Sequence, residues 1–370
     1  MIDKALVIAF PAPRSFTGED VVELHVHGGP AVVAALLRTL GERPGLRLAE
    51  PGEFSRRAFD NCRLDLSQAE GLSDLVEAQT EAQRRQALAQ ASGRLRDKVE
   101  SWRAAIIRLM AEAEADLDFS DEGDVAVSRD AALLARLQTE IQSALAGSGV
   151  GERIREGFTI AVVGEPNVGK SSLVNSLAKR DVAIVSEVAG TTRDLIEVGL
   201  DLAGLPVTLI DTAGLRETSD PIEVEGVRRA RARADRADLV LHVVTERPSA
   251  VLGQLVVNKI DSGAISPGVR DGTIYVSART GAGLEQLESW LTAWASRQLP
   301  AGEPALVARE RHRLALERAG SHLAEASLEA DQVLYAELLR LAARALGEVT
   351  GRVGVEDVLG DIFGRFCIGK

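Results

Sequence analysis

The chain has 370 residues and is poor in cysteine, in aromatic side chains and in positive charge. Its two cysteines, Cys62 and Cys367, cannot make a disulfide framework, which favours a reducing compartment. Acidic residues outnumber basic ones by 55 to 43, so the net charge of −12 argues against a protein that coats nucleic acid non-specifically. No apolar run reaches the roughly 20 residues of a membrane span, and the amino terminus lacks a signal-peptide pattern. We therefore expect an acidic, cytoplasmic protein of two or three domains with no membrane partner.

The spacing of apolar residues divides the chain into three kinds of sequence. Short strands followed by a helix indicate a small α+β domain over residues 1–61. Helical periodicity over 62–156 and again over 298–370 predicts a helical-bundle domain. Between these two stretches, over 157–297, strands alternate with helices, which predicts an inserted α/β domain with a parallel sheet flanked by helices.

Within the helical sequence, apolar residues four or three positions apart form a seam that needs partner helices. The seam consists of Leu95, Val99, Trp102, Ile106, Leu109 and Ala113. Ser67, with Glu70 three residues later, predicts a capping box that opens a helix. The glycines at 147–151 and the Pro/Gly stretch at 300–304 predict joints about which the inserted domain could move.

One connection in the α/β sequence is unusually short. Only nine residues, 245–253, separate two strands that we expect to lie parallel, whereas a crossover needs about a dozen residues or more. We therefore expect a helical segment to be missing there. The first domain begins abruptly on a strand, so we expect its start to be missing as well.

Residues 164–171, GEPNVGKS, fit the phosphate-binding pattern G-x-x-x-x-G-K-S between a strand and a helix. The backbone N–H groups of such a loop surround phosphate oxygens, and the helix dipole adds positive potential. Lys170 would contact the β- and γ-phosphates, and Ser171 would bind Mg²⁺. The alternative is a glycine-rich turn that binds no phosphate.

Three further motifs at strand ends predict a guanine-nucleotide site. In DTAG at 211–214, Asp211 can hold the metal through water and the Gly214 amide can sense the γ-phosphate. In NKID at 258–261, Asp261 can accept hydrogen bonds from N1 and N2 of guanine, a pair of donors that adenine lacks. With the serine, alanine and arginine at 277–279, the predicted GTP-binding residues are Asn167, Val168, Gly169, Lys170, Ser171, Ser172, Ser186, Glu187, Val188, Ala189, Gly190, Thr191, Thr192, Asp211, Thr212, Ala213, Gly214, Asn258, Lys259, Asp261, Ser277, Ala278 and Arg279.

Catalysis needs a group other than the usual glutamine. Leu215 follows DTAG, where many GTPases have a glutamine that orients the attacking water. A monovalent cation could act instead, held by Asn167 and by a loop that consists of Ser186, Glu187, Val188, Ala189, Gly190, Thr191 and Thr192. A downstream carboxylate could also act, among Glu217, Glu223 and Glu225, although each of these could merely solvate a surface loop.

Several segments together resemble the MnmE (TrmE) family of tRNA modification GTPases. They are GEPNVGKS, IVSEVAGTTRD at 184–194, DTAGLRE at 211–217, SFTGED at 15–20 running on to ELHVHGGP at 23–30, and the terminal FCIGK at 366–370. The resemblance covers nearly all of the chain. Two features of the family are absent, namely its opening segment, which carries a substrate-binding arginine, and the helix before Asn258.

The resemblance implies a folate-binding, dimerising amino-terminal domain, a helical domain and an inserted G domain. It also implies potassium-dependent GTP hydrolysis, with the G domains pairing across a homodimer. The activity would serve modification of C5 of the wobble uridine in tRNA, with the one-carbon unit taken from a 5-formyl or 5,10-methylene tetrahydrofolate. A flavoprotein partner, MnmG, which carries FAD, would complete a heterotetramer.

The resemblance also assigns roles to individual residues. It places potassium at Asn167, Ser186, Val188 and Thr191, magnesium at Ser171 and Thr192, the catalytic water at Glu223, and folate at Glu23, Arg63 and Lys370. It further implies that Cys367 is needed for the modification, and the nearby cation of Lys370 favours the reactive thiolate.

Alternatives to these assignments remain open. Glu23, His25 and His27 alternate along one strand and could be metal ligands or a solvent-facing edge. Cys367 could be a small buried apolar residue, and Cys62 is interpreted as structural. The competing function is a ribosome-assembly GTPase that binds RNA as a switch, which shares the nucleotide motifs but gives no reason for the folate-site residues or the terminal cysteine.

Overall fold

The computed structural model describes residues 1–118, 129–180, 182–184, 197–211, 235–246, 253–263, 265–298, 303–353, 359 and 363. The chain divides into two compact units. Unit 1 comprises residues 1–77, 87–148 and 309–370, and unit 2 comprises residues 78–86 and 149–308. The three domain boundaries proposed from the sequence stay a prediction.

The elements follow in chain order. The first are β1 (Leu6–Phe10), β2 (Val21–His25), α1 (Pro30–Gly41), α2 (Glu53–Asp60), α3 (Leu66–Glu77), α4 (Glu81–Ala91), α5 (Arg94–Asp118) and α6 (Ala131–Ala146). Next come α7 (Ser148–Glu156), β3 (Phe158–Val163), α8 (Lys170–Ala178), β4 (Glu197–Leu202), β5 (Leu205–Asp211), β6 (Leu239–Val244), β7 (Gln254–Val257), β8 (Gly268–Arg270), β9 (Thr273–Tyr275) and α9 (Leu284–Arg297). The last two are α10 (Glu310–Leu328) and α11 (Gln332–Thr350). None of the helices within the described ranges is long and apolar enough to cross a membrane.

The sheet of unit 2 has seven strands in the order β4-β5-β3-β6-β7-β9-β8. The five inner strands are parallel to their inner neighbours, whereas β4 and β8 pair antiparallel at the two edges. Buried aliphatic side chains of β3, β5 and β6 pack with those of α8 and α9. The predicted α/β architecture is confirmed, with the refinement that the sheet is mixed at its edges.

The strands β6 and β7 lie side by side and parallel, as predicted, with Leu241 opposite Gln254. The connection between them falls mostly at 247–252, outside the described residues. The expectation of a missing helix there stays a prediction.

The glycines at 147, 149 and 151 lie in or beside helices rather than in a loose joint. Helix α7 runs through Gly149 and Gly151. A side chain on Gly151 would overlap the carbonyl oxygen of Val307, so glycine permits a close approach of two backbones here. Gly149 and Gly151 are therefore part of a helix, and movement about this position stays a prediction. The second predicted joint, at 300–304, lies largely outside the described residues.

The apolar seam predicted for α5 lies at the centre of unit 1. All six of its side chains, from Leu95 to Ala113, are buried. Helix α5 packs against α11, α11 packs against α10, and α10 packs against α6. The predicted helical bundle is therefore confirmed, because an apolar stripe on one helix is stable only when other helices cover it.

The amino-terminal strands form a two-stranded antiparallel sheet in which Leu6 lies opposite His25 and Phe10 lies opposite Val21. Strand β2 ends at His25, earlier than the alternation of the sequence predicts. Val22 is 62% exposed although it belongs to the apolar face of the strand. The small α+β arrangement is confirmed, but the described residues leave part of its apolar face uncovered.

Helix α3 begins with a cap other than the predicted one. The N–H of Gln68 donates to Asp65 Oδ1 at 2.9 Å, and the N–H of Asp65 donates to Gln68 Oε1 at 3.1 Å. This reciprocal pair is a capping box, so the prediction that Ser67 and Glu70 form it is wrong. Ser67 donates to Asp65 instead, and Glu70 is buried in unit 1.

Glu70 is the centre of a buried ionic network. Both of its carboxylate oxygens accept hydrogen bonds from Arg311, each at 2.7 Å, and Oε2 also contacts Nε2 of His312 at 2.9 Å. Arg311 donates further to the backbone oxygens of Glu348 and Val349, at the end of α11. One carboxylate therefore joins three helices, α3, α10 and α11, through bonds that are all charge-assisted or directed at backbone.

The protonation of this network follows from its contacts. Burial alone would raise the pKa of Glu70, but the hydrogen bonds from His312 and Arg311 and the positive charge of Arg311 hold it well below its usual range. Burial, together with the charge of Arg311, lowers the pKa of His312 to about 4. Nδ1 of His312 is buried without a hydrogen-bond partner, which suits a neutral ring because a second N–H there would have no acceptor. Neutral His312 therefore donates from Nε2 to ionised Glu70.

This protonation state predicts how the stability of unit 1 depends on pH. In the unfolded chain His312 binds a proton below about pH 6.5, whereas in the folded chain it does so only near pH 4. Between these two pH values the unfolded state binds more protons. The free energy of unfolding should therefore fall by about 1.4 kcal/mol for each pH unit as the pH drops from about 6.5 to about 4. His312→Gln keeps an Nε2 donor and removes the titration, so its dependence on pH should be flatter. Urea unfolding followed by circular dichroism at pH 7 and pH 5 measures the difference. His322→Gln, on the same helix, is the control, and equal slopes for His312→Gln and the unaltered chain would contradict the assignment.

Candidate functional site

The phosphate-binding sequence forms the turn between β3 and α8. Gly164 follows β3 with a φ of 149°, and Gly169 precedes α8 with a φ of 95°. Side chains at these two positions would overlap the carbonyl oxygen of Val243 and the side-chain amide of Asn258, respectively. Both glycines are therefore required by backbone conformation and by space.

Lys170, the first residue of α8, projects into this turn. Its side chain is 7% exposed, and Nζ donates to the backbone oxygens of Gly164 and Glu165, at 2.9 Å each. The ammonium group thus lies within the loop, at the amino end of a helix whose first N–H groups are available to an anion. Ser171 and Ser172 follow on the first turn of the helix and are exposed.

Asn258, just after β7, joins two of the predicted motifs. Its side-chain amide donates to the backbone oxygen of Val168 at 2.9 Å, and its Oδ1 accepts the N–H of Ala278 at 3.0 Å. The residue is 2% exposed. Lys259 adds a second link, because its Nζ donates to the backbone oxygen of Asn167 at 2.5 Å. The structure therefore brings residues 167–172, 258–261 and 277–279 together at one edge of the sheet.

Asp261 lies in a short 3₁₀ turn at Ile260–Ser262. Its Oδ1 accepts a hydrogen bond from the Ser277 hydroxyl at 2.6 Å, and its Oδ2 forms an ion pair with Arg279 at 2.5 Å. The hydrogen bond from Ser277, and then the positive charge of Arg279, lower the pKa of Asp261. The carboxylate is ionised and fixed in direction, which suits a group that accepts hydrogen bonds from two neighbouring N–H donors. The ion pair with Arg279 was not predicted.

Asp211 ends β5 and is buried. It lies opposite Val162 of β3 in the parallel ladder, which places it beside the start of the phosphate-binding turn. The carboxyl ends of neighbouring parallel strands gather at one edge, where α/β proteins commonly bind ligands. The position agrees with the predicted role of Asp211 near a metal.

Many predicted site residues lie outside the described residues. From the nucleotide site these are Ser186, Glu187, Val188, Ala189, Gly190, Thr191, Thr192, Thr212, Ala213, Gly214 and Glu223. From the folate site and the terminal segment they are Cys367 and Lys370. Their roles stay predictions.

The two described folate candidates are both exposed residues of unit 1. Glu23 lies on β2, and its Oε2 contacts Nε2 of His25 at 2.9 Å. Arg63 follows α2, and within the described ranges no hydrogen bond or ion pair joins it to Glu23. The two charged groups are therefore accessible to an added ligand.

The metal-ligand alternative for this strand finds no support. His27 contacts Asp3 at 2.9 Å, whereas His25 contacts Glu23, so the three side chains do not converge. Nowhere in the described part of the chain do three His, Cys, Asp or Glu side chains gather as a metal site. Cys62, interpreted as structural, is exposed and has a φ of 56°.

Comparison with known proteins identifies the family. A model described as the MnmE helical domain matches residues 66–367, and one described as the GTP-binding protein TrmE N-terminus matches residues 1–63. The tRNA modification GTPase MnmE of Parvibaculum lavamentivorans is 53% identical over 385 residues, which cover 100% of this chain and 87% of that protein. This chain belongs to the MnmE family of tRNA modification GTPases. The resemblance noted from its motifs is thereby confirmed, together with the expectation of a GTPase that takes part in tRNA modification.

Other relatives agree with this assignment. The MnmE of a Methylobacterium species is 53% identical over 381 residues, covering 100% of this chain and 87% of that protein. Among solved structures, the G domain of the Thermotoga maritima FeoB iron transporter covers 37% of this chain and 98% of its own, at 26% identity and a TM-score of 0.24. The match to a GTP-binding protein from Sulfolobus solfataricus in complex with GDP covers 54% of this chain and 68% of that one, at 18% identity and a TM-score of 0.26. These structural scores are low, and the family rests on the sequence relatives.

The buried amide of Asn258 predicts a large effect of its removal. Asn258→Ala would leave the Val168 oxygen and the Ala278 N–H without partners, at a cost of about 1–3 kcal/mol for each. We expect faster hydrogen exchange over residues 275–282 and at least tenfold weaker binding of fluorescent GDP. Gln254→Ala removes an amide at the other end of the same strand and should change neither. Unaltered exchange and binding in Asn258→Ala would show that the two loops do not depend on this side chain.

Proposed function

We propose that this MnmE-family GTPase couples potassium-dependent GTP hydrolysis to modification of C5 of the wobble uridine in tRNA, using a one-carbon unit from a tetrahydrofolate derivative. The part of this proposal that concerns GTP is supported by the convergence of three motifs at one edge of the sheet, where Asn258 joins them. Family membership and the matching residues of unit 1 support the folate half.

Each group around the nucleotide has one task. Lys170 exchanges its bonds to the loop carbonyls for bonds to phosphate oxygens. Asp261 accepts the N1 and N2 donors of guanine, and Asn258 keeps the loops at the correct separation. The exposed hydroxyl of Ser171 is a suitable oxygen donor for Mg²⁺, with Thr192 as its proposed companion and Asp211 acting through water.

Potassium is proposed to bind at Asn167. This residue has a φ of 65°, its backbone oxygen is held by Lys259, and its exposed side-chain amide makes no hydrogen bond within the described part of the chain. The amide oxygen is therefore available to a cation, and the remaining donors proposed from the family are hydroxyl and carbonyl oxygens of Ser186, Val188 and Thr191. A bound cation supplies positive charge next to the phosphates as charge develops there. Glu223 is proposed to position the water, since Leu215 has no polar group.

The potassium proposal predicts a selective loss. Asn167→Ala should abolish stimulation of GTP hydrolysis by potassium relative to sodium, while GDP affinity stays within about threefold, because the backbone contacts of the loop are retained. Initial rates in the two salts and titration with fluorescent GDP measure the two effects. Asn175→Ala, an exposed asparagine on α8, is the matched control. Equal stimulation in Asn167→Ala and in the control would refute the assignment.

The folate half depends on two exposed charges of opposite sign. Arg63 suits the carboxylates of a folate tail, and Glu23 suits the N–H donors of a pterin ring. Lys370 is proposed to add a second cation, and Cys367 to take part in the transfer. MnmG, carrying FAD, is the proposed partner in a heterotetramer built on a homodimer of this chain. The cytoplasm, a reducing compartment, is the proposed location.

Binding of 5-formyltetrahydrofolate tests this half directly. Glu23→Ala and Arg63→Ala should each weaken binding by about 10- to 100-fold, because a charge-assisted hydrogen bond contributes about 1.5–3 kcal/mol. Calorimetric titration measures the affinities, and Arg43→Ala, which removes another exposed arginine of unit 1, should bind normally. A chain that does not bind this folate at all would favour the competing function, a GTPase that acts only as an RNA-binding switch.

A further inference from the structure

The carboxylate of Asp261, which is proposed to bind the N1 and N2 donors of guanine, already forms an ion pair with Arg279. Nη2 of Arg279 lies 2.5 Å from Asp261 Oδ2, and the Ser277 hydroxyl lies 2.6 Å from Oδ1. Both carboxylate oxygens therefore already accept a hydrogen bond. A base that offers two N–H donors to this carboxylate meets a guanidinium at one of the two oxygens.

The two partners of Asp261 differ in how firmly they are held. Ser277 is fully buried. Its backbone N–H donates to the backbone oxygen of Ala282, and its backbone oxygen accepts the N–H of Gly281. The Arg279 side chain is 77% exposed, whereas that of Asp261 is 16% exposed. Ser277 is thus a fixed part of the pocket. Arg279 can leave for solvent, where water solvates its charge.

We propose that Arg279 competes with the guanine base for Asp261. Arg279 thereby sets how strongly the site prefers guanine, which has a 2-amino donor, over a base that lacks this group. The inference rests on the proposed reading of guanine by Asp261. Arg279 acts through Asp261 and is a positioning residue: it holds Oδ2 of the carboxylate before a base arrives. It then releases Oδ2 to the base.

This competition affects related nucleotides unequally. GDP presents donors at N1 and N2 and engages both carboxylate oxygens, so its N2 donor competes with Arg279 at Oδ2. Inosine diphosphate lacks the 2-amino group and needs only one acceptor, so it can share the carboxylate with Arg279. Arg279 therefore weakens the binding of GDP more than that of inosine diphosphate. The effect is modest, because an ion pair with an exposed member contributes little in water.

The test compares Arg279→Ala with the unaltered chain by displacement of fluorescent GDP. We expect Arg279→Ala to raise the affinity for GDP by about two- to fivefold, and to raise the ratio of GDP affinity to inosine diphosphate affinity by a similar factor. Arg279→Lys retains a cation and should restore the ratio in part. The gain should shrink at 0.5 M salt, where screening weakens the exposed pair. Arg297→Ala removes an exposed positive charge from α9 and should leave the ratio unchanged.

A second arm separates this inference from the proposed function. Asp261→Asn should shift preference from GDP to xanthosine diphosphate, since an amide offers a donor to the 2-oxo group. In that background Arg279→Ala should have no effect on the GDP to inosine diphosphate ratio. If Asp261→Asn shows no shift, the proposed reading of guanine fails. If it shifts preference, but Arg279→Ala leaves the ratio unchanged or weakens GDP, Arg279 does not compete and the inference is overturned.

Discussion

The buried carboxamide of Asn258 is the interaction on which the nucleotide site depends. A carboxamide carries a donor and an acceptor on one rigid plane, so it can bind a carbonyl on one side and an N–H on the other. Here it binds the backbone of the phosphate loop at Val168 and the backbone of the base loop at Ala278. Neither loop has a regular ladder of its own to hold it. This one side chain at the end of β7 binds both loops directly, and the bonds from Lys259 to Asn167 and from Ser176 to Ala278 support the same separation of the phosphate and base subsites.

Unit 1 uses a comparable arrangement with charge in place of an amide. Glu70 joins α3 to α10 and α11 through Arg311 and His312, and Arg309 adds an ion pair with Asp74 at 2.7 Å. Such a network contributes little net free energy over an apolar core, but breaking it leaves buried charge without a partner. Its effect is to permit one packing of these helices and to penalise others. The backbone oxygens of Glu348 and Val349 at the end of α11 are held by the same guanidinium, so this end of the helix is anchored as well.

The parts of the fold that were predictable from sequence are those that depend on periodicity. The α5 seam and the strand at Phe158–Val163 follow from repeats of apolar residues, and both are present. The capping box was misassigned because Ser67 and Glu70 match the pattern as well as Asp65 and Gln68 do, and only burial of Glu70 against Arg311 distinguishes the two registers.

The helix that runs through the glycines after α6 was not predictable for a related reason. Glycine occurs both in flexible segments and where two backbones approach closely, so the residue type alone does not distinguish them. At Gly151 the approaching group is the carbonyl of Val307, which is distant in sequence. Motif spacing likewise singled out Asp261 and Ser277, which the structure joins by a hydrogen bond. It could not locate the pairing of Asp261 with Arg279, since that contact depends on how two loops face each other.

The position of that pair explains how an acidic chain can bind an anionic ligand with selectivity. The net charge of −12 opposes a nucleotide at long range, but salt screens such repulsion beyond about 8–10 Å. Within that distance, in the proposed binding mode, the ligand meets Lys170 and the amino end of α8, which bind phosphate whatever the base. Asp261 is the negative group that the base is proposed to approach, and in the structure Arg279 compensates its charge. In the proposed binding mode, phosphate contacts are thus indifferent to the base, and the choice of base depends on the difference between two hydrogen-bonded states of one carboxylate.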